Sequence, residues 1–378
     1  MRGESDPDDL ASRIVRRIQA HGPLSVAGFM AMALHDREAG YYTKRGPIGA
    51  AGDFVTAPEI SQIFGELIGI WCADWWQRAG SPDPVVLAEL GPGRGVLMVD
   101  ALRAAGTVRP FRRSLRPFLV EASPVLRAEQ QKNLADAGAV WVNRIEDLPD
   151  GPMLLIANEF LDALPIRQLI RVGRHWAERV VTVDPEGGLV FAAGPESPAL
   201  RSLVAPALRE SPPGTVVEFR PAAAALAAAV AERVCRAPGA ALFIDYGFCT
   251  SRSGSTLSAV RRHRPVGILD RPGGADLSAH VDFAALAAAA RGAGAAVFGP
   301  IPQGSLLRAL GAEIRLAALC ASAAPSQREA LASGLHRLLD PQQMGTLFNA
   351  IAVASPGGPV PAGFAVAEGA QGGRGAQE

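Results

Sequence analysis

Short apolar runs alternate with amphipathic segments along most of this chain. The runs at 85–90, 153–157 and 240–244 consist almost entirely of valine, leucine, isoleucine, phenylalanine, methionine and alanine. Runs of this length and composition are typical of strands that are buried on both faces of a parallel sheet. Segments with apolar residues at helical spacing lie between them. The pattern predicts an α/β fold with a mostly parallel sheet.

Helical spacing dominates the first 80 residues, which we take as a helical N-terminal region. Within it, residues 37–57 contain two adjacent tyrosines and a glycine-rich loop, an unusual composition for a plain linker. Long loops in compact domains are often functional, so this one is a candidate lid or substrate wall. An ordered structural loop is the equally supported alternative. The residues considered for substrate contact here are Tyr42, Asp53, Phe54, Thr56, Pro58 and Glu59.

The pattern changes twice within the main domain, which we place at 81–354. Short alternating runs at 167–219 predict an antiparallel β insertion that overhangs the ligand crevice and helps to select the substrate. Helical segments at 303–345 predict a second insertion. The remainder, 355–378, is rich in glycine, proline and alanine, and we expect it to be disordered.

Composition excludes several classes of function. The chain has 37 basic and 37 acidic residues, so general attraction to nucleic acid or anionic lipid is not expected. No run of about 18 apolar residues predicts a membrane span. Four separated cysteines and six scattered histidines predict no metal site and a reducing compartment. The acidic N-terminus resembles neither a secretory signal nor a transit peptide, which favours a cytoplasmic location.

A glycine-rich turn follows the first apolar run. It has the form Glu-x-Gly-x-Gly-x-Gly, from Glu89 to Gly95, and joins a strand to a helix. Val96 replaces the small residue of a dinucleotide fingerprint, and Glu89 would repel a pyrophosphate but suits a ligand with an ammonium group. An ordinary turn without a ligand is the alternative. The predicted cofactor-binding residues of this segment are Glu89, Gly91, Pro92, Gly93 and Gly95.

Two further acids follow later predicted strands. Glu121 ends the run at 117–121, where a carboxylate in a nucleoside-binding sheet can accept both ribose hydroxyls. Its alternative role is structural, next to the cap of the following helix. Glu146 lies after a short strand, where a turn that contacts adenine can be expected.

The candidate catalytic residues Asn158, Glu159 and Asp162 follow the run at 153–157. Because ligands of α/β sheets bind at the carboxyl ends of strands, these residues share the crevice with the glycine turn. Two acids and an amide are suited to an amine or guanidinium acceptor, and capping of a short helix is the alternative. Asp245 ends the next apolar run and is a candidate for substrate contact. His280 is a possible base with Asp282 as its orienter, or part of an ordinary loop.

Several of these segments together resemble the MidA-like class I methyltransferases. The resemblance extends over roughly residues 8 to 354. The matching segments are residues 52–66, 89–95, 158–160 with 162–165, 245–247, 275–283, 299–300 with 303, and 340–341 with 344–345. The resemblance implies S-adenosylmethionine as cofactor and a seven-stranded sheet with a helical N-terminal part and inserted segments. The best-known member is a mitochondrial complex I assembly factor, which implies symmetric ω-N,N′ dimethylation of an arginine in a complex I subunit.

The expected activity is therefore methyl transfer to an arginine side chain of a protein. Two alternatives stay open: methylation of a small molecule at oxygen, nitrogen or carbon, and a non-catalytic assembly factor that binds the cofactor. A nicotinamide oxidoreductase is opposed by Val96 and Glu89. We identify no organelle-targeting pattern before the first predicted helix and therefore expect a bacterial homologue rather than a mitochondrial protein. A homodimer is compatible with the sequence.

Overall fold

The structure, a computed structural model, describes residues 9–43, 55–250 and 252–364. Helices α1 to α13 span Leu10–His21, Val26–His35, Ala57–Ile60, Gln62–Arg78, Val96–Ala105, Arg109–Ser114, Pro124–Asn133, Pro221–Arg236, Phe283–Gly292, Gln303–Ala309, Ala312–Ser322, Pro325–Leu339 and Met344–Leu347. Strands β1 to β16 span Leu24–Ser25, Val85–Leu90, Leu115–Val120, Val140–Val142, Met153–Asn158, Arg167–Val172, His175–Val183, Leu189–Glu196, Val216–Phe219, Gly239–Phe248, Ser258–Arg261, Arg264–Pro265, Asp276–Ser278, Val281–Asp282, Ala296–Pro302 and Phe348–Ala354.

The central sheet has the strand order β4-β3-β2-β5-β10-β16-β15, and a short strand, β14, pairs with the end of β10. Strands β4, β3, β2, β5 and β10 are parallel, whereas β16 runs antiparallel to both of its neighbours. The prediction of an α/β fold with a mostly parallel sheet is confirmed. The chain order reverses direction between β2 and β5, which opens a crevice at the carboxyl ends of these two strands.

Helices cover both faces of the sheet. On one face α4 and α5 pack in a cluster that includes Phe64, Trp71 and Leu97. On the other face α8 and α9 contribute Val230 and Phe283. The aromatic residues of α4 recur at helical spacing and are buried, so they belong to the hydrophobic core.

The N-terminal helices are joined to the β insertion rather than forming a separate unit. Strand β1 pairs antiparallel with β7, with Leu24 opposite Val181. Strands β6, β7, β8 and β9 are antiparallel, as the alternating pattern predicts. One hydrophobic cluster contains Leu10 of α1, Phe29 of α2 and Leu277 of β13. This cluster places α1 and α2 beside the strands that precede α9.

The segment after β16 differs from the sequence prediction. Residues 355–364 pack on the domain: Phe364 is 6% exposed, and Arg78 Nη1 donates a 2.7 Å hydrogen bond to the Val360 carbonyl oxygen. The prediction of disorder is therefore wrong for these residues, because one buried aromatic side chain outweighs a composition rich in glycine and proline. Residues 365–378 lie outside the described part of the chain.

Candidate active site

The glycine turn between β2 and α5 has an unusual backbone. Gly91, Gly93 and Gly95 have φ values of 59°, 53° and 81°, in the left-handed region that favours glycine. A Cβ atom at Gly91 would lie 2.6 Å from Phe160 Cδ2, which follows β5. The turn therefore packs directly against the end of the neighbouring strand. Because its three glycines have no side chains, its backbone is open to the crevice.

Glu89 is buried and lacks a partner for one carboxylate oxygen. The residue is 3% exposed, and no described group makes a hydrogen bond with Oε2. Burial raises the pKa of Glu89 to about 8, although the backbone N–H of Met98 acts in the opposite direction. Because an unpaired buried carboxylate is costly, this position fits a ligand that brings an ammonium group.

Glu121 lies directly after β3, beside the glycine turn. Its Oε1 atom accepts a 2.7 Å hydrogen bond from the Ser123 backbone N–H, and its Oε2 atom accepts a 3.2 Å bond from Gln130 Nε2. Burial raises the pKa of Glu121. Each oxygen retains a second lone pair, so this fixed carboxylate can accept hydroxyl groups of a ribose.

Glu146 has a more exposed position than the other predicted cofactor residues. It lies in the 3-10 turn Ile145–Asp147 after β4, and its side chain is 60% exposed. Arg144 Nε donates a 3.1 Å hydrogen bond to Glu146 Oε2, and this contact contributes to lowering its pKa after a backbone hydrogen bond. A direct role of Glu146 with adenine stays a prediction.

Three acids that we call the acid cluster, Glu159, Asp162 and Asp245, lie at the carboxyl ends of β5 and β10. Glu159 has φ of 49°, a strained value for a residue with a side chain. Its Oε1 atom accepts hydrogen bonds from the Ala57 backbone N–H at 2.8 Å and from Asn158 Nδ2 at 3.3 Å. Burial raises the pKa of Glu159 to about 7. A carboxyl group with this pKa can exchange a proton near neutral pH.

The other two acids differ in what they bind. Tyr246 donates its hydroxyl hydrogen to Asp162 Oδ2 over 3.0 Å. Asp245 is fully buried, and its Oδ2 atom accepts the backbone N–H groups of Leu161 at 2.9 Å and Asp162 at 3.1 Å. Burial raises the pKa values of both acids. Asp245 therefore supports the turn that carries Asp162, instead of facing a substrate as the sequence suggested.

Arg220 is the buried cation next to the acid cluster. It donates to backbone carbonyl oxygens, including those of Asp162 at 3.1 Å and Leu164 at 2.9 Å. Its charge still counteracts the rise in the pKa of Asp162. Among the described residues, the three acids face two cations, Arg220 and Arg337, so the site retains an excess of acidic groups that suits a cationic acceptor.

The expected lid residues have separate positions. Thr56 precedes α3 and Pro58 lies in its first turn, while the neighbouring Ala57 N–H binds Glu159. Glu59 forms an ion pair with Arg94 of the glycine turn, with Oε2 and Nη1 3.2 Å apart. Glu59 therefore supports the cofactor loop rather than a substrate. Asp53 and Phe54 lie outside the described residues.

Tyr42 connects the N-terminal region to the cofactor side of the crevice. Its hydroxyl donates to Asp276 Oδ1 over 3.1 Å, and its carbonyl oxygen accepts a 2.9 Å bond from Ser123 Oγ. Ser123 also binds Glu121, so Tyr42 lies close to the predicted ribose position. Its side chain is half-buried and is held by the bond to Asp276.

His280 lies beside the acid cluster, next to Tyr246 and Arg220. Its ring lies edge-on to that of Tyr246, with centroids 5.3 Å apart. Burial lowers the pKa of His280. Asp282 does not orient His280; it accepts the Ala285 backbone N–H and caps α9. The loop interpretation of this pair therefore describes Asp282 better than the base-and-orienter interpretation.

Sequence reasoning missed three residues that the structure places in the site. Tyr246 binds Asp162, Gln130 binds Glu121, and Phe160 packs on Gly91. Tyr246 and Phe160 stand next to predicted site residues in segments that carry the family resemblance, so they could have been included. Gln130 lies inside a helix with no local signal, and only the tertiary fold reveals its partners.

The sheet has a glycine turn after β2, an acid after β3 and polar groups after β5, and its strand β16 is antiparallel to its neighbours. These features define a class I methyltransferase. The family described as "Putative S-adenosyl-L-methionine-dependent methyltransferase" matches residues 67–301. The chain belongs to this family. It is an enzyme that uses S-adenosylmethionine, as the resemblance implies, and the orphan oxygen of Glu89 fits the ammonium group of that cofactor.

Curated relatives agree over nearly the full chain. "Protein arginine methyltransferase NDUFAF7 homolog, mitochondrial" of Drosophila melanogaster is 35% identical over 380 residues, which cover 93% of this chain and 86% of the relative. The Danio rerio protein, "Protein arginine methyltransferase NDUFAF7, mitochondrial", is 36% identical and covers 91% and 85%. The human protein of that name is 32% identical and covers 93% and 84%.

A solved structure shares the architecture. A protein from Burkholderia thailandensis, bound to S-adenosyl-homocysteine, has a TM-score of 0.81 and 29% identity, covering 94% of this chain and 93% of the other. A second structure from that organism has a TM-score of 0.78, 30% identity and the same coverage. These likenesses extend beyond the nucleotide-binding core to the N-terminal helices and the insertions.

No helix in the described ranges is long and apolar enough to cross a membrane. Over the same part of the chain, no cluster of three or more histidine, cysteine, aspartate or glutamate side chains can hold a metal ion.

Proposed function

We propose that this enzyme methylates the guanidinium group of an arginine in a protein. The observation that carries the proposal is the acid cluster, in which Glu159 and Asp162 follow β5, the strand next to the one that ends in the glycine turn. The curated relatives, which are named protein arginine methyltransferases, support the same acceptor. On the basis of the family resemblance, the proposal also includes symmetric dimethylation and a respiratory complex I type subunit as the acceptor.

Two acids have the contacts that guanidinium binding requires. Both hydrogen bonds that described residues make to Glu159 end on Oε1, so Oε2 can accept from a guanidinium N–H. Asp162 is fixed by the hydroxyl of Tyr246. Two oriented carboxyl groups can place one guanidinium nitrogen on the line of attack.

The cofactor, when bound, supplies an activated methyl group on a sulfonium. The acceptor nitrogen would form the new N–C bond as the bond from this methyl group to sulfur breaks, which would leave a neutral thioether. The methylated nitrogen must also lose one proton, because the guanidinium is protonated in water. Glu159 can accept this proton, since its pKa of about 7 is close to working pH. Asp162 and the fixed Tyr246 hydroxyl keep the acceptor in place during this transfer.

The proposal also covers the cellular location and the oligomeric state of the enzyme. The proposed location is the cytoplasm, whereas the curated relatives carry the word mitochondrial in their names. A homodimer is proposed without a described interface, and light scattering of the purified protein tests it. Neither statement affects the chemistry of the site.

The acceptor can be identified directly. Purified enzyme is incubated with methyl-labelled S-adenosylmethionine and lysate of a strain that lacks it, and proteins and small molecules are analysed by mass spectrometry. Label on arginine of one protein supports the proposal and identifies the acceptor. Label confined to a metabolite indicates a small-molecule methyltransferase. Cofactor binding without label transfer indicates an assembly factor.

A further inference from the structure

Gln130 is a fully buried polar side chain on α7. We infer that Gln130 is a positioning residue that holds the glycine turn and Glu121 at a fixed separation and thereby sets cofactor affinity. This inference concerns the cofactor half of the crevice and does not depend on the identity of the methyl acceptor. It assigns a role to a residue that touches neither the acid cluster nor the proposed acceptor.

The amide nitrogen of Gln130 bridges the two cofactor-binding segments. Nε2 donates to the Gly93 carbonyl oxygen over 2.7 Å and to Glu121 Oε2 over 3.2 Å. Both amide hydrogens are used, one on each segment. Gly93 lies in the turn after β2 and Glu121 after β3, so one side chain sets the relative position of two strand ends.

Trp141 fixes the orientation of this amide. Its indole Nε1 donates to Gln130 Oε1 over 2.9 Å. An indole nitrogen can only donate, so the oxygen of Gln130 must face Trp141 and the NH₂ group must face Gly93 and Glu121. The three partners therefore allow only one orientation of the amide, and the side chain cannot turn to release either segment while these bonds persist.

Neighbouring residues of α7 bind the same turn. Arg94 Nε donates to Glu129 Oε1 over 2.6 Å, and Asn133 Nδ2 donates to the Arg94 carbonyl oxygen over 2.9 Å. Glu129, Gln130 and Asn133 occupy one side of the helix. Because a trans peptide is planar, turning the Gly93 carbonyl toward α7 directs the Arg94 N–H away from it. The helix thus sets which backbone groups of the turn remain available to a ligand.

The first test removes the bridge and measures binding without turnover. Calorimetry of S-adenosyl-homocysteine binding compares wild type, Q130L and Q131L. Gln131 is the exposed neighbour on the same helix and serves as the matched control. The Kd should rise at least tenfold in Q130L and less than twofold in Q131L, and the KM for S-adenosylmethionine should rise more than kcat falls. Equal Kd values in Q130L and wild type overturn the inference.

A second variant retains the shape and keeps the test informative if Q130L folds poorly. In Q130E the new carboxyl group faces Glu121 Oε2 and the Gly93 carbonyl, so it repels them when ionised and donates one hydrogen bond when protonated. The other charged groups around it are Arg94, Arg127 and Glu129, which are the same in wild type.

The ratio of the Q130E and wild-type Kd values should therefore fall at least fivefold between pH 8 and pH 6. Dividing by the wild-type Kd removes the pH dependence of the ligand and of groups that the substitution does not affect. Q131E, with the same added charge on the exposed side of α7, should show a constant ratio. If the role of Gln130 is merely structural, Q130E should weaken binding by the same factor at pH 8 and pH 6. That result would contradict the inference.

Discussion

Glu89 gives a prediction that can be worked through from the structure. Its carboxylate is buried, one oxygen lacks a partner, and its pKa is about 8. At pH 6.5 roughly thirty Glu89 side chains are therefore protonated for each ionised one, because each pH unit is a factor of ten. An amino acid ammonium has an ordinary pKa of about 8, so the ligand is also protonated at this pH.

Pairing with the ammonium group favours the ionised carboxylate, so binding must expel the proton of Glu89. The expected release is close to one proton per ligand at pH 6.5. In Glu89→Gln this proton is absent, and the Kd should rise about 10- to 100-fold, which corresponds to losing a charged hydrogen bond of roughly 1.5 to 3 kcal/mol.

The assay is calorimetry of S-adenosyl-homocysteine binding in buffers that differ in ionisation enthalpy, because the slope of the observed heat gives the proton count. Wild type should release about one proton more than Glu89→Gln. Glu232→Gln, an exposed change on α8, serves as control and should match wild type. Equal proton release by wild type and Glu89→Gln would refute the pairing of Glu89 with the ligand.

Three further predictions address other parts of the structure. Tyr246→Phe removes a hydrogen bond to Asp162, and single-turnover transfer should slow about 10- to 100-fold with an unchanged S-adenosyl-homocysteine Kd; a weaker Kd instead would contradict this. Gly91→Ala introduces both backbone strain and a clash, so calorimetry should show at least tenfold weaker binding of S-adenosyl-homocysteine. The control Gly138→Ala has a similar φ but open space around the new methyl group, and it should not weaken binding. Phe364→Ala should lower the free energy of unfolding by about 3 kcal/mol in denaturant titration, and an unchanged value would contradict its core role.

The elements that sequence predicts well here are those with strong local signals. Apolar runs without polar alternation identify β2, β5 and β10, and glycine spacing identifies the turn after Leu90. Glu89 and Glu121 follow from these, since ligands of α/β sheets bind at the carboxyl ends of strands. Local pattern and tertiary fold agree at these positions.

Other features depend on contacts between distant residues. The bond from the Ala57 N–H to Glu159 joins positions 102 residues apart, and β1 is a two-residue strand that only its partner β7 defines. Asp245 illustrates the same limit. Its position at the end of an apolar run predicts exposure to the crevice, but backbone N–H groups of the turn after β5 bind its carboxylate. Pattern places such residues at an edge, and packing decides what they touch.

We expect the two halves of the crevice to have separate roles. Glu89 and Glu121 act on the cofactor, and Glu159 acts on the methyl acceptor. The most direct measurement compares Glu159→Gln with wild type in two assays: S-adenosyl-homocysteine affinity by calorimetry and single-turnover transfer of labelled methyl to the lysate acceptor. The account predicts a Kd within about threefold of wild type and transfer reduced at least 100-fold, in the range of a general base. Unchanged transfer, or a loss of transfer matched by an equal loss of affinity, would contradict it.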